Sequence, residues 1–204
     1  MSARRSDGAW IFAYGSLVSP RSLTSTIGRA VDPATEMHLA HVHGYGRRWN
    51  YGSMNMRGDW HHDGVDVTEG VVISLGLQAV ADEVCNGVVV HITSEELVAL
   101  DWRERDYERT DVSDLTAVDA RIDGPVHAYV PRPSAVERYQ AAREAGRAAI
   151  RQTYWNLVRE AFGTLGDHHL IRYDATPAPD VPVVDIDLAS PWKEQEQQQQ
   201  RERR

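Results

Sequence analysis

The chain has 204 residues, a formal net charge of −8 and 42% hydrophobic residues. This length suits one domain, or one domain with an appendage, and the composition provides enough apolar side chains for a core. The acidic balance disfavours general nucleic-acid binding. No apolar run approaches the roughly 18 to 20 residues of a membrane-spanning helix, and residues 1–8 lack the apolar stretch of a signal peptide.

Cys85 is the only cysteine, which excludes an intramolecular disulfide and is typical of a reducing compartment. We therefore expect a cytoplasmic protein that binds neither nucleic acid nor a membrane. A lone cysteine that enters a predicted strand is usually a core residue rather than a nucleophile.

Short apolar segments predict strands through the first two thirds of the chain. Residues 10–14 form an aromatic run that ends at Gly15-Ser16, as a buried strand before a tight turn does. Ser19 and Pro20 are typical of the start of a helix over residues 21–27. Further strands are predicted over 36–51, 70–77, 86–92, 107–118 and 126–130, with a polar surface loop over 55–66.

A helix start is predicted at residues 93–96, where Thr-Ser-Glu-Glu matches a capping box. In that motif a hydroxyl and a carboxylate satisfy the first free amides of a helix. The helix is expected to end near Arg103, so Glu104 is expected at or just beyond its terminus.

The last third of the chain is expected to be helical and then disordered. Apolar residues keep largely to one helical side over 134–163, which predicts a long C-terminal helix that packs on the sheet or forms a dimer. Gly146 weakens that helix by about 1 kcal/mol relative to Ala, so a kink or break there stays open. The Gln-rich residues 191–204 predict a disordered polar tail.

These elements predict an α+β fold, with a small mixed or antiparallel β-barrel and surrounding helices. We expect residues 9–190 to form a single domain, as a monomer or a homodimer.

Two segments carry the candidate chemistry. A strand that ends in Gly15-Ser16 exposes backbone N–H groups that can hold a carboxylate, although such a turn usually has only a structural role. Glu104 can carry a proton if it is partly desolvated, because desolvation raises the pKa of a carboxyl towards the working pH. The alternative is an ordinary ion-paired carboxylate, because three arginines are close in sequence, namely Arg103, Arg105 and Arg109.

The wording and order of these segments resemble the γ-glutamyl cyclotransferase-like family. Phe-Ala-Tyr-Gly-Ser-Leu stands at residues 12–17, and Leu-Asp-x-Arg-Glu at 100–104 is followed by Tyr-x-Arg at 107–109. Between them, residues 44–48 are similar to the family's Gly-aromatic-Arg-Arg stretch. Residues 87–90 are similar to the strand that precedes the glutamate-bearing helix. Within the family, the N-terminal motif is closest in wording to the ChaC or AIG2-like branch, whose ChaC members cleave glutathione.

The resemblance implies a reaction and a set of site residues. Glu104 stands where the family has its proton-accepting glutamate, and Tyr107 where it has a tyrosine near the reacting centre. The reaction implied is cyclisation of a γ-glutamyl group to 5-oxoproline with release of an amine, in the acyltransferase or lyase class, without a metal or other cofactor. The backbone implied to hold the γ-glutamyl group is that of Ile11, Phe12, Ala13, Tyr14, Gly15, Ser16 and Leu17.

The substrate stays open at this point. Residues 18–20 read Val-Ser-Pro, where ChaC-like members usually have an aromatic residue and Pro after Gly-Ser-Leu-Ile. Peptides and amines that carry a γ-glutamyl group are therefore candidates beside glutathione.

Two other function classes compete with this interpretation. The first is a non-catalytic small-molecule binding module of the same fold. The second is a metal-dependent hydrolase, which would depend on histidines clustered at residues 38–43, 61–62 and 168–169. Their spacing does not match common zinc motifs, so we expect no metal.

Overall fold

The computed structural model describes residues 7–189, and the predicted disordered tail at 191–204 lies outside that range. The described residues form six α-helices and nine β-strands. The helices are α1 (Pro20–Ile27), α2 (Pro33–Glu36), α3 (Ser94–Arg103), α4 (Pro133–Glu144), α5 (Gln152–Thr164) and α6 (Asp167–Asp174). The strands are β1 (Gly8–Ala13), β2 (Met37–His62), β3 (Val65–Thr93), β4 (Tyr107–Asp111), β5 (Thr116–Val118), β6 (Val126–Pro131), β7 (Ala148–Arg151), β8 (Val183–Val184) and β9 (Asp187–Leu188).

The described chain divides into two compact units, and the long strands β2 and β3 contribute residues to both. The first unit contains the described residues up to Arg48, then Gly76–Arg132 and Leu157–Pro177. The second unit contains Trp49–Leu75, Pro133–Asn156 and the described residues from Ala178 onwards. The expectation that residues 9–190 form a single domain stays a prediction.

The first unit is built on a mixed sheet with the strand order β4-β6-β1-β3-β2-β5. In this sheet β1 is antiparallel to β3 and parallel to β6. Fully buried side chains of β1 and β3, such as Ile11, Phe12, Val89 and Ile92, fill its core. The predicted α+β class with a mixed sheet is confirmed.

The second unit has its own pairing and its own core. Strand β7 lies parallel to the first part of β3 and to β8, and β9 pairs antiparallel with β2. This small core contains Trp60, Val67, Val72, Ala149, Ile186 and Leu188.

The predicted loop over residues 55–66 is wrong, because β2 extends to His62 and β3 begins at Val65. The turn between them contains Asp63 and Gly64, whose φ angles are 50° and 79°. Two successive positive φ angles are typical of a two-residue hairpin turn, for which Asp-Gly is a strong sequence signal. Strand β3 also continues to Thr93, so the two strands predicted at 70–77 and 86–92 belong to one element.

The predicted long helix over 134–163 is also wrong. Helix α4 ends at Glu144, and Gly146 follows with a φ of 66°. The amide of Gly146 donates to Arg143 O, and the amide of Arg147 donates to Ala142 O, which is the bonding pattern of a glycine-terminated helix. The buried strand β7 then precedes α5. The strand predicted at 107–118 is likewise interrupted, by a 3₁₀ helix at Ser113–Leu115.

The predicted capping box is confirmed. Thr93 accepts from the Glu96 amide and the Glu96 carboxylate accepts from the Thr93 amide, so α3 begins at Ser94. The helix ends at Arg103, and Glu104 is its C-cap, as expected. None of the described helices combines the length and apolar composition needed to cross a membrane.

We expect Gly87→Ala to destabilise the first unit, because a β-carbon at residue 87 would lie 2.1 Å from the Ala13 carbonyl oxygen. The strands β1 and β3 would have to separate, with a loss of about 1–3 kcal/mol in the free energy of unfolding. The matched control is Gly163→Ala in α5, where a β-carbon meets no atom within 4 Å. That change should add up to about 1 kcal/mol. Urea denaturation measures both, and equal stabilities for the two variants would contradict the close approach.

Candidate active site

Strand topology brings the two predicted motifs to the same end of the sheet. In β6, Ala128 pairs with Phe12 of the parallel strand β1, and Pro131 pairs with Tyr107 of the antiparallel strand β4. The C-terminal end of β1 and the first residue of β4 therefore face the same edge. Glu104 precedes β4 by three residues, so it reaches the edge at which β1 ends.

The turn after β1 presents the start of a 3₁₀ helix, Ser16–Val18. Gly15 is its N-cap and has no side chain to cap the first amides. The Val18 amide donates to Gly15 O at 3.0 Å. A helix start leaves its first N–H groups without a partner in the helix itself, so the amides next to Gly15 are the natural donors to a carboxylate.

Tyr14 is fixed from two sides just before that turn. Its hydroxyl donates to the Tyr129 carbonyl at 2.5 Å, and its carbonyl accepts from Arg47 Nε at 2.8 Å. Arg47 is buried, and its guanidinium lies 4.6 Å from the centre of the Phe162 ring. It also donates to the backbone carbonyl and side chain of Asn86. The position of the turn therefore depends on a buried cation.

The predicted strand residues Ile11, Phe12 and Ala13 are almost completely buried. Strand β1 pairs with β3 on one side and β6 on the other, which occupies backbone groups of these residues. Their side chains pack in the core. Of the seven residues predicted to bind the substrate through their backbone, those at the turn are thus better placed to offer amides, and the side chain of Leu17 is buried there.

Glu104 is the C-cap of α3, and its amide donates to Leu100 O at 2.9 Å. The side chain is only 14% exposed. Burial raises the pKa of the Glu104 carboxyl above its ordinary value, while the charge of Arg103 lowers it in part. This is the direction required of a carboxylate that accepts a proton near neutral pH.

Arg103 joins Glu104 to the turn after β1. Its Nε lies 3.0 Å from Glu104 Oε1, and its Nη2 donates to Ser16 Oγ at 2.9 Å. One guanidinium therefore contacts both predicted motifs. The ion pair expected under the simpler interpretation of Glu104 is present, but both of its partners are largely withdrawn from solvent.

Tyr107 is half-buried, and its amide donates to Glu104 O at 2.8 Å. A contact between its phenol and the reacting centre stays a prediction. Sequence reasoning missed a second tyrosine, Tyr129, whose hydroxyl donates to Asp101 Oδ1 at 2.6 Å. Burial is the main cause that raises the pKa of Tyr129, and Asp101 and Glu104 add to it. The motif Leu-Asp-x-Arg-Glu contains Asp101, but no local signal links it to residue 129.

Two cavities of the first unit are lined by other residues. One of about 540 Å³ lies at the start of β1, beside Gly8, Trp10 and His91. The other, about 260 Å³, lies beside Arg47 and Cys85. Neither is lined by Glu104 or by Gly15. The prediction that the acid and the turn share a sheltered hollow therefore stays a prediction.

No group of His, Cys, Asp or Glu side chains within residues 7–189 is arranged to hold a metal ion. His61 pairs instead with Asp66, at 2.7 Å. The ring centres of His41 and His169 lie 6.0 Å apart.

Known proteins resemble this chain in sequence and in fold. The chain is 32% identical over 133 residues to "Gamma-glutamylcyclotransferase 2-3" of Arabidopsis thaliana, a match that covers 61% of this chain and 58% of the plant protein. The match thus spans less than two thirds of that relative's length. No protein-family model matches the chain.

Two solved structures share the fold. One described as "Gamma-glutamyl cyclotransferase" has a TM-score of 0.53 at 13% identity and covers 85% of this chain and 90% of its own. A γ-glutamyl cyclotransferase from yeast, described as specific to glutathione, has a TM-score of 0.50 at 16% identity. The match covers 83% of this chain and 95% of the yeast protein. The chain therefore has the γ-glutamyl cyclotransferase fold. The sequence similarity to the plant protein and the shared fold agree with the predicted resemblance to the γ-glutamyl cyclotransferase-like family, and the ChaC or AIG2-like branch stays a prediction.

Replacement of Glu104 by Gln should make stability less sensitive to pH. Because the folded-state pKa is raised, the folded chain keeps a proton that the unfolded chain releases, so wild-type stability falls as pH rises from about 4.5 to the raised pKa. The Gln variant lacks this loss, so its stability relative to wild type should improve between about pH 4 and pH 8.

Denaturant titrations at the two pH values measure this change. Glu108→Gln, at an exposed position of β4, is the matched control. The same pH response in both variants would show that the Glu104 pKa is not raised.

Proposed function

We propose that this chain is a γ-glutamyl cyclotransferase that converts a γ-glutamyl peptide or amine to 5-oxoproline and a free amine. The observation that carries this proposal is the contact of one guanidinium with two groups, the largely buried Glu104 carboxylate and Ser16 of the turn after β1. The similarity to the plant γ-glutamylcyclotransferase supports a cyclotransferase function in general terms. The leaving amine is not specified by these contacts.

The turn would bind the substrate through its α-carboxylate. Backbone amides at a helix start are suited to an anion, because their N–H groups converge and carry partial positive charge. The hold of Arg47 on the Tyr14 carbonyl supports a fixed orientation of this turn. An anchored α-carboxylate leaves the neighbouring α-amine free to turn towards the γ-carbonyl.

Glu104 would carry the proton. The ionised carboxylate takes a proton from the substrate's α-ammonium, and the resulting amine attacks the γ-carbonyl carbon to form the lactam C–N bond. The original γ-amide C–N bond then breaks as Glu104 returns the proton to the departing nitrogen, and the second proton of the ring nitrogen passes through Glu104 to the released amine, which leaves as an ammonium. Such proton transfer contributes about 10²- to 10⁴-fold, and a correctly folded substrate about 7–11 kcal/mol through proximity.

The nucleophile in this scheme belongs to the substrate. Cys85 is 3% exposed, and burial raises the pKa of its thiol, which disfavours the reactive thiolate. A covalent enzyme intermediate is therefore not part of the proposal.

The ion pair between Arg103 and Glu104 favours one alternative, a binding module without turnover. In such a module the paired carboxylate would only shape the pocket. The two candidates differ in whether the substrate's γ-amide bond is broken.

Glu104→Gln should lower the rate of 5-oxoproline formation by about 10²- to 10⁴-fold, because the amide cannot accept the proton. A panel of glutathione, γ-glutamyl amino acids and γ-glutamyl amines, with chromatographic detection of 5-oxoproline, measures the rate. Glu108→Gln is the control and should retain wild-type activity, since its side chain is exposed on β4. Binding of a panel compound by wild type without any 5-oxoproline would instead identify a binding module.

A further inference from the structure

The guanidinium of Arg103 is engaged by three elements of the first unit. From the end of α3 it contacts Glu104 Oε1 and Ser16 Oγ, at 3.0 and 2.9 Å. Towards α1 its Nη1 donates to Thr26 Oγ1 at 2.6 Å and to Ser22 O at 3.3 Å. Its Nη2 also lies 3.2 Å from Ser22 Oγ. An arginine has five N–H donors, and these contacts supply five acceptors.

The other two arginines near Glu104 in sequence contact other residues. Arg105 lies 4.8 Å from the centre of the exposed Trp102 ring and donates to the Trp102 carbonyl. Arg109 lies 3.5 Å from Asp101 Oδ2. Arg103 is therefore the arginine of this segment whose charge the structure pairs with Glu104.

An exposed ion pair would not require this arrangement. A surface pair holds two flexible side chains in water and contributes little. Here Ser22 and Thr26 of α1 accept hydrogen bonds from the guanidinium, so its orientation does not depend on the carboxylate alone. The planar fork of arginine can serve these separate acceptors at once, whereas the single ammonium of lysine cannot reach them all.

We propose that Arg103 is a positioning residue, which holds the Glu104 carboxylate ionised and aimed at the turn that begins at Ser16. This inference rests on the proposed function for its role in turnover. The charge coupling between Arg103 and Glu104, by contrast, does not depend on any substrate.

A tyrosine of β6 also interacts with the Glu104 carboxyl. Tyr129 of β6 is close enough for the Glu104 charge to raise its pKa, and its phenol is bonded to Asp101, which pairs with Arg109. The contacts from α1 are uncharged hydroxyl and carbonyl groups. Removal of the Arg103 charge should therefore be felt mainly by Glu104.

Carboxyl ¹³C NMR titration of the full chain without substrate tests the coupling. In Arg103→Met the midpoint of the Glu104 titration should be higher than in wild type by about one pH unit or more, because an opposite charge at this distance lowers a carboxyl pKa by about 1–3. Arg105→Met, which removes a neighbouring charge that does not contact Glu104, should leave it near the wild-type midpoint. Equal midpoints in the two variants would overturn the proposal.

Activity supplies the second arm. The acid limb of the kcat/KM profile should move to higher pH in Arg103→Met, and Arg103→Lys should restore it only in part. Thr26→Val, which removes one acceptor of the guanidinium, should lower kcat and keeps the test available if Arg103→Met does not fold. An unchanged acid limb in Arg103→Met, or full activity in both Arg103→Lys and Thr26→Val, would overturn the positioning role.

The two proposals fail in different ways. If wild type forms no 5-oxoproline from any panel compound, the proposed function fails while the NMR titration still decides the coupling. If wild type turns over and the titration midpoints do not separate, only the role of Arg103 fails.

Discussion

The candidate site depends on Glu104, whose carboxylate lies at the C-terminal end of α3 and is largely buried. Both features oppose ionisation of Glu104, since burial penalises charge and the C-terminal end of α3 carries partial negative charge. Arg103 opposes them from 3.0 Å. The balance leaves an acid that is weaker than an exposed glutamate yet still paired with a cation, which suits a group that must accept a proton and return it.

The strand order of the sheet places Glu104 at the same edge as the turn after β1. Strand β1 lies between β3 and β6, and the chain passes from β3 through α3 directly into β4, the neighbour of β6. Both motifs therefore reach one edge, although they are far apart in sequence. The approach of β1 and β3 is close enough that residue 87 has room only for glycine.

Local signals predicted the parts of the site that have local causes. The capping box at Thr93 sets the start of α3, and its length places Glu104 at the end, so both were readable from the sequence. The strand before Gly15 was readable because it is a short aromatic run. The hairpin at Asp63-Gly64 carried an equally clear signal, but the polar residues around it obscured the strands.

Contacts between distant residues had no such signal. The five acceptors around Arg103 come from three elements, and the partners of Arg47 come from residues 14, 86 and 176. Hydrophobic spacing also misled over 134–163, where Ala148-Ala149-Ile150 proved to be a buried strand rather than one side of a helix. An apolar run of this length fits either element until the tertiary partners are known.

In the proposed reaction, the substrate's own amine, and not water, breaks the γ-amide bond. Turnover of a γ-glutamyl substrate in H₂¹⁸O, followed by mass spectrometry of the products, tests this most directly. We expect 5-oxoproline that contains no ¹⁸O. Glutamate with ¹⁸O in its γ-carboxylate would identify a hydrolase and contradict it.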